Sequence, residues 1–208
     1  SKIFNLLEST DCLDCLRALR VLGVKILKKK NYYSVYGNGL NSFKINKKIT
    51  KLYIGNSMTT GRLISGLCST IPSKFYLYGD ASANRRDFMR VIEPLERVGA
   101  QFFPRKKTLP LTMEGTSFPL ALKHVETRGS SQIKSLICLA ALSTPGITTV
   151  EELRKKNSRT HTEIFLKKIG CDVKFEKSKK TNLIHIRGQK NLHSFNYSVG
   201  NDPSSACF

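Results

Sequence analysis

Three stretches of the chain repeat one pattern: DCLDCLRALRVLG at 11–23, RDFMRVIEPLERVG at 86–99 and SRTHTEIFLKKIG at 158–170. Each begins with polar residues, continues with apolar residues at helical spacing and ends in a glycine. Glycine is typical of a helix end, because the left-handed backbone that closes many helices favours it. Alternating apolar residues follow and predict a strand. The chain is therefore built from a helix–strand unit that occurs three times.

The second and third copies also contain an earlier helix. The sequence predicts helices over 59–68 and 132–142, opened by Gly55-Asn56-Ser57 and Gly129-Ser130-Ser131. A strand follows each of them, so the complete unit is βαβαββ. The first copy begins at a strand, and its leading strand and first helix are expected before Ser1. The predicted fold is α+β, with units at about 1–50, 51–117 and 118–190 and a further segment over 191–208.

The composition is that of a folded, strongly basic protein. The 208 residues are 40% hydrophobic, and 35 Lys and Arg against 15 Asp and Glu give a net charge of +20. No stretch approaches the roughly 20 apolar residues of a membrane helix. The first residues lack a signal-peptide pattern, so we expect a cytoplasmic protein. The charge favours anionic partners, namely nucleic acid, acidic lipid or phosphorylated metabolites, unless the lysines are merely solvated.

The six cysteines are expected to be reduced thiols. Cys12 and Cys15 form a CxxC pair, but no second pair or paired histidines accompany it. A structural zinc site needs four ligands. We therefore predict no metal site and interpret the pair as small apolar residues of a helix.

The two Gly/Ser openings predict anion binding. A helix start leaves backbone N–H groups unpaired, glycine allows close approach of an oxyanion, and hydroxyls add donors. Each opening carries a cation one turn later, Arg62 or Lys134. Because the two openings occupy equivalent places in two repeats, they are expected on similar sides of the molecule. Ordinary helix capping by Ser and Thr is the alternative interpretation.

Two arginines are expected at helix starts, where a positive charge opposes the helix dipole. They are Arg86 and Arg159. This mismatch suggests that each grips a carboxylate or phosphate with its guanidinium, although a solvated surface arginine is the alternative.

Five motifs resemble those of the 5-enolpyruvylshikimate 3-phosphate synthases, a family of enolpyruvyl transferases, and they occur in the same order. They are GNSMTTGR at 55–62, GD…R at 79–86, SSQ followed by Lys134-Ser135 at 130–135, SRTHTE at 158–163 and DPSS at 202–205. That family folds into two similar lobes, each an inside-out α/β prism of three βαβαββ repeats, with substrates between them. The resemblance implies that this chain is most of one lobe, with its first repeat truncated, and that 191–208 crosses toward the second.

The resemblance also implies a reaction. It is transfer of the enolpyruvyl group of phosphoenolpyruvate to the 5-hydroxyl of shikimate 3-phosphate, with release of phosphate and no cofactor. The positions matching phosphoenolpyruvate contacts are Met58, Arg86 and Gln132. Those matching shikimate 3-phosphate contacts are Thr59, Ser130, Ser131, Gln132, Ser158 and Arg159. No catalytic acid or base is expected here, because the family's main ones lie outside this segment. The full-length enzyme is expected to be a monomer without membrane or nucleic-acid partners.

Three positions depart from the family pattern. Met58 replaces a glycine that lies against phosphoenolpyruvate, and Gly61, one turn later, is expected to compensate for its bulk. Asp87 replaces a proline and is placed to neutralise Arg86 in part. Asn201 replaces a glycine.

Two other functions stay open: the sister transferase acting on UDP-N-acetylglucosamine, and a basic module resembling RNA 3′-phosphate cyclases.

Overall fold

The computed structural model describes residues 1–45 and 47–200. Within these residues the α-helices are α1 (Thr10–Val21), α2 (Met58–Cys68), α3 (Met89–Val98), α4 (Ser131–Ala141) and α5 (His161–Lys168). The strands are β1 (Lys2–Phe4), β2 (Lys25–Lys28), β3 (Tyr32–Tyr36), β4 (Thr50–Tyr53), β5 (Lys74–Tyr78), β6 (Gln101–Phe103), β7 (Leu111–Glu114), β8 (Lys123–Glu126), β9 (Ile147–Leu153), β10 (Asp172–Lys177), β11 (Thr181–Arg187) and β12 (Asn196–Ser198). Two short 3-10 helices cover Ala83–Arg85 and Arg154–Lys156.

The second and third units have the same topology. Their sheets have the orders β4-β5-β7-β6 and β8-β9-β11-β10. In each, the first two strands are parallel and joined through a helix, and the remaining pairs are antiparallel. The predicted βαβαββ unit is confirmed in both.

The first sheet is completed by a strand from the far end of the described chain. Its order is β12-β1-β3-β2, and β12 runs parallel to β1. By comparison with the other sheets, β12 occupies the place of the leading strand, which the sequence pattern assigns to residues before Ser1. Residues 196–198 therefore belong to this sheet, whereas a crossing of 191–208 to a second lobe stays a prediction.

The glycines that close the repeated helices adopt the predicted backbone. Gly23, Gly99 and Gly170 have φ angles of 88°, 117° and 99°. A residue with a side chain rarely adopts this conformation. Each glycine lets the chain turn from the helix into the next strand, so the feature that marks the repeat in the sequence also sets its geometry.

Helices α2 and α4 lie in the middle of the protein and bury most of their residues. They touch each other closely: a Cβ placed on Gly66 would lie 2.4 Å from the backbone oxygen of Leu136. The two helices therefore pack almost backbone to backbone, and their starts are held side by side.

Among the described residues, no helix combines the length and apolar character needed to span a bilayer.

Candidate functional site

The α2 opening is a tight turn that contacts α1. Gly55 has φ 60°, and a Cβ placed there would lie 2.0 Å from Oδ2 of Asp14, a buried carboxylate of α1. Glycine is thus required both by backbone conformation and by space. Ser57 caps the helix, its hydroxyl accepting the N–H of Thr60 at 3.2 Å. The next polar side chain of this first turn, that of Thr59, is exposed.

The α4 opening is built in the same way. Ser130 caps the helix by accepting the N–H of Ile133 at 3.4 Å, and Gly129 has φ 67°. A Cβ on Gly129 would lie 2.6 Å from the backbone oxygen of Lys156, so the 154–158 segment packs directly against this turn. Ser130 and Ser131 are half-buried. Capping by Ser130 occurs as the alternative interpretation predicts, and its hydroxyl proton is not used by the cap.

The two openings converge, as their equivalent places in the repeats predict. Nε2 of Gln132 donates to Oγ1 of Thr59 at 2.7 Å, across 73 residues of sequence. The other end of the same amide accepts a hydrogen bond from the guanidinium of Arg62. Thr59, Arg62 and Gln132 thus form one cluster at the junction of α2 and α4.

Arg86 reaches the same region from a loop rather than from a helix start. The α3 helix begins three residues later, at Met89, and its first N–H is capped by the carboxylate of Asp87 at 2.7 Å. The prediction that Arg86 opposes the dipole of a helix start is therefore wrong. Its guanidinium instead donates to Oδ1 of Asn56 at 2.6 Å, and Asn56 is held by Asp80 at 2.9 Å. This network fixes Arg86 beside the α2 opening.

The sequence predicts that Asp87 partly neutralises Arg86. No ion pair joins them in the part of the chain that the structure describes, and the carboxylate serves the α3 cap instead. Arg159 likewise precedes its helix, which begins at His161, and its side chain is exposed.

Lys134, predicted to support an anion at the α4 opening, is instead paired inside the protein. Its ammonium is fully buried, 3.0 Å from Glu152 and 2.6 Å from Glu163. Both acceptors are themselves buried carboxylates, so this charge is already compensated inside the protein. The sequence places Lys134 one turn into a helix but does not show that this turn faces inward.

Ser158 is joined to this buried ion-pair group. Its backbone N–H and its hydroxyl both contact Oε1 of Glu152, at 3.3 and 2.5 Å. Lys134 lies on α4, Glu152 on β9 and Glu163 on α5, so the group ties the Ser158 loop to the helix that carries Gln132. Thr59, Arg86, Gln132 and Ser158 accordingly belong to one connected region.

The side chain of Met58 lies in the main hydrophobic core with 5% of its surface exposed. The expected crowding of a pocket by this side chain is therefore not seen. A Cβ on Gly61 would lie 2.7 Å from Cδ1 of Ile54, so Gly61 accommodates a core neighbour. The DPSS motif and Asn201 lie outside the described residues.

Electrostatics favour an anion at this site. Burial, followed by the nearby charges of Arg90 and Arg86, lowers the pKa of the Arg62 guanidinium, and Asp87 acts in the opposite direction. Nε of Arg62 is buried and has no hydrogen-bond partner among the described residues. Arg62 and Arg86 lie at the α2 opening and form no ion pair among the described residues, and they produce a positive potential there that a phosphate or carboxylate would relieve.

A separate cleft of about 350 Å³ lies between α3 and the segment from β8 to α4. Arg90 in its wall is already paired with Glu126 at 3.2 Å, and none of the predicted site residues lines it. The arrangement of the helix openings, rather than this cleft, marks the candidate site.

In residues 1–45 and 47–200 no group of three or more His, Cys, Asp or Glu residues is arranged to hold a metal.

The family model described as EPSP synthase (3-phosphoshikimate 1-carboxyvinyltransferase) matches residues 1–208. The chain belongs to the EPSP synthase family. It is 37% identical over 216 residues to the 3-phosphoshikimate 1-carboxyvinyltransferase of Nitrobacter winogradskyi, covering 100% of this chain and 47% of that protein. The enzyme of the same name from Lactococcus lactis subsp. cremoris is 36% identical, with 99% and 46% covered.

The solved structures agree with this family assignment. An EPSP synthase from Acinetobacter baumannii superimposes with a TM-score of 0.87 at 33% identity, covering 99% of this chain and 45% of that one. The prism-lobe fold expected from the resemblance is thereby confirmed. The chain spans about half the length of the EPSP synthases that it matches.

The sequence patterns do not indicate Asp14, Asn56, Asp80 or Glu152 as site-supporting residues. Each acts through a contact with a residue distant in the chain, as in the bonds of Asn56 to Asp80 and of Glu152 to Lys134. Asn56 lies in the GNSMTTGR motif and Asp80 in the GD…R motif, which are the available signals. Asp14 lies in the first repeated helix, but nothing in that pattern indicates its contact with Gly55, and no motif includes Glu152.

Proposed function

We propose that this chain supplies one substrate-binding lobe of an enzyme that transfers the enolpyruvyl group of phosphoenolpyruvate to the 5-hydroxyl of shikimate 3-phosphate. The reaction releases phosphate and belongs to aromatic amino-acid biosynthesis. The second lobe would supply the acid and base groups. The observation that carries the proposal is the hydrogen bond from Gln132 to Thr59, which unites two anion-binding helix starts beside Arg86.

Two phosphorylated substrates need two groups of donors on adjoining elements. Arg86 and Gln132, with the backbone at Met58, are assigned to phosphoenolpyruvate. Thr59, Ser130, Ser131 and Arg159, again with Gln132, are assigned to shikimate 3-phosphate. Ser158 is assigned to the same substrate and would exchange its hydroxyl bond to Glu152 for one to the ligand. Gln132 contributes to both because it lies where the α2 and α4 openings meet. Charge-assisted hydrogen bonds of this kind are the strong polar contacts of anion sites.

Phosphoenolpyruvate titrations of matched arginine variants test the first assignment. Arg86→Ala in the 208-residue chain should weaken phosphoenolpyruvate binding about tenfold, the effect of losing one charge-assisted hydrogen bond. Arg85→Ala is the control, since the neighbouring Arg85 is exposed and carries the same charge. Equal losses in both variants would refute a specific role for Arg86.

Ligand choice tests the second assignment. Shikimate 3-phosphate should shift the NMR signals of Thr59, Gln132 and Ser158, whereas shikimate and UDP-N-acetylglucosamine should leave them unchanged. A response to the nucleotide sugar instead would favour the sister transferase. The 208-residue chain alone should release no phosphate from the two substrates, because the acid and base groups are assigned to the second lobe. Measurable release would contradict that assignment.

A further inference from the structure

The side-chain amide of Gln132 has two unlike ends, and its chemistry depends on which end faces a ligand. Its NH2 group only donates, and its oxygen only accepts. An ionised phosphoryl oxygen only accepts hydrogen bonds, and most phosphoryl oxygens are ionised at pH 7, so the NH2 end must face them. A free glutamine amide can turn by half a revolution and present the wrong end. Something must therefore choose its orientation.

Arg62 is the residue in position to choose. It lies on α2 while Gln132 lies on α4, and its guanidinium donates to Oε1 of Gln132. A guanidinium has no acceptor, so it can bind only the oxygen end of the amide. The NH2 end is then directed to Thr59, where the 2.7 Å bond is observed, and its second hydrogen is left for another acceptor.

The surroundings of Arg62 distinguish it from a solvated surface cation. It is half-buried, its Nε has no hydrogen-bond partner among the described residues, and none of the ion pairs there includes it. Partial burial of a cation that forms no ion pair is costly, and the carboxylate of Asp87 offsets this only in part. Its hydrogen bond to Gln132 is therefore made at a cost in stability, as is common at functional sites rather than in structural cores.

We propose that Arg62 is a positioning residue: it fixes the amide of Gln132 so that the NH2 group faces Thr59 and the opening between α2 and α4, ready to donate to a phosphoryl oxygen. This inference rests on the proposed function, because it specifies how Gln132 meets a phosphorylated substrate. It assigns Arg62 an action through Gln132 rather than a contact with the substrate itself.

One test needs no ligand. In the 15N-labelled 208-residue chain, a nuclear Overhauser contact is expected between the Gln132 side-chain NH2 and the Thr59 methyl group. It should persist in Arg62→Lys, which also only donates, and disappear in Arg62→Met. Persistence of the contact in Arg62→Met would overturn the proposal, as would its absence from the parent chain.

The second test is a double-mutant cycle on shikimate 3-phosphate binding. Arg62→Met should weaken binding about fivefold, as expected for one lost hydrogen bond. In a Gln132→Leu background it should weaken binding no more than the loss of a neighbouring charge does, because the group it positions is gone. Arg90→Met, which removes a neighbouring charge without touching Gln132, should act equally in both backgrounds. A fivefold loss from Arg62→Met in both backgrounds would instead mean direct contact with the substrate.

The two tests separate failure of the inference from failure of the proposed function. A parent chain that binds no shikimate 3-phosphate counts against the proposed function, and the ligand-free contact still decides the role of Arg62. A parent chain that binds the substrate with additive effects of Arg62 and Gln132 leaves the function standing and refutes the positioning role. Melting temperatures of all variants identify losses that come from unfolding alone.

Discussion

Lys134 is an ammonium group enclosed between two carboxylates, with none of its surface exposed. Among the described residues, Glu163 has no other polar partner, while Glu152 also accepts two bonds from Ser158. A buried charge is stable only when it is paired, so each member of this group depends on the others. The result is a rigid connection from α4 through β9 to the Ser158 loop.

Removing the ammonium should therefore be severe. Lys134→Met leaves two buried carboxylates without their cation, and we expect a loss of about 3–5 kcal/mol in the free energy of unfolding. Lys123→Met is the matched control, since Lys123 pairs with Glu151 at 2.9 Å but is 64% exposed and should contribute no more than about 1 kcal/mol. Urea denaturation of both variants measures the difference. Similar losses would mean that the buried group contributes no more than a surface pair.

At the scale of elements, the site depends on how closely α2 approaches α4. The space between their backbones at Gly66 admits no side chain, because the neighbour is the fixed carbonyl of Leu136. A second glycine of the same helix, Gly61, faces the movable end of Ile54 instead. The first contact sets the separation of the helices, and thereby the distance between Thr59 and Gln132.

Alanine at these two glycines should consequently have different effects on stability. Both changes gain about 1 kcal/mol of helix propensity. Gly66→Ala also forces the helices apart, and we expect a net loss of about 2 kcal/mol in unfolding free energy, typical of overpacking. It should weaken shikimate 3-phosphate binding too, because the openings separate. Gly61→Ala should be near neutral in both measurements. Equal behaviour of the two variants in thermal melts would contradict this account of the helix contact.

At the scale of the whole molecule, local features of the sequence predict the repeats and most of the elements. Helical spacing and a closing glycine are properties of adjacent residues, and Gly23, Gly99 and Gly170 therefore mark the helix ends correctly. The place of β12 beside β1 joins residues nearly 200 positions apart, and no local pattern reveals it. The burial of Lys134 between Glu152 and Glu163 is similarly decided by which side chains meet after folding.

The same reasoning explains why the site is predicted in part. Equivalence of the repeats brings the α2 and α4 openings together without knowledge of any contact, and the bond from Gln132 to Thr59 agrees with it. The supporting residues Asp80 and Glu152 come from other strands and loops, and their partners can be recognised only in three dimensions. Repetition in the sequence therefore indicates where the site lies, while the groups that hold it require the structure.

The core that joins the units gives a final prediction, about cooperativity. Cys68 on α2 and Cys138 on α4 are fully buried in one hydrophobic cluster, and burial raises the pKa of both thiols. Thiolates, not thiols, react with iodoacetamide, so both should resist labelling in the folded chain at pH 8, while the half-buried Cys12 reacts sooner. As urea increases, Cys68 and Cys138 should become reactive at one common concentration, because the second and third units share that core and unfold together. Mass spectrometry of the labelled peptides measures this directly. Two separate midpoints would show that the units are independent domains, and the proposed binding site between α2 and α4 would then lack the rigid support that its donors require.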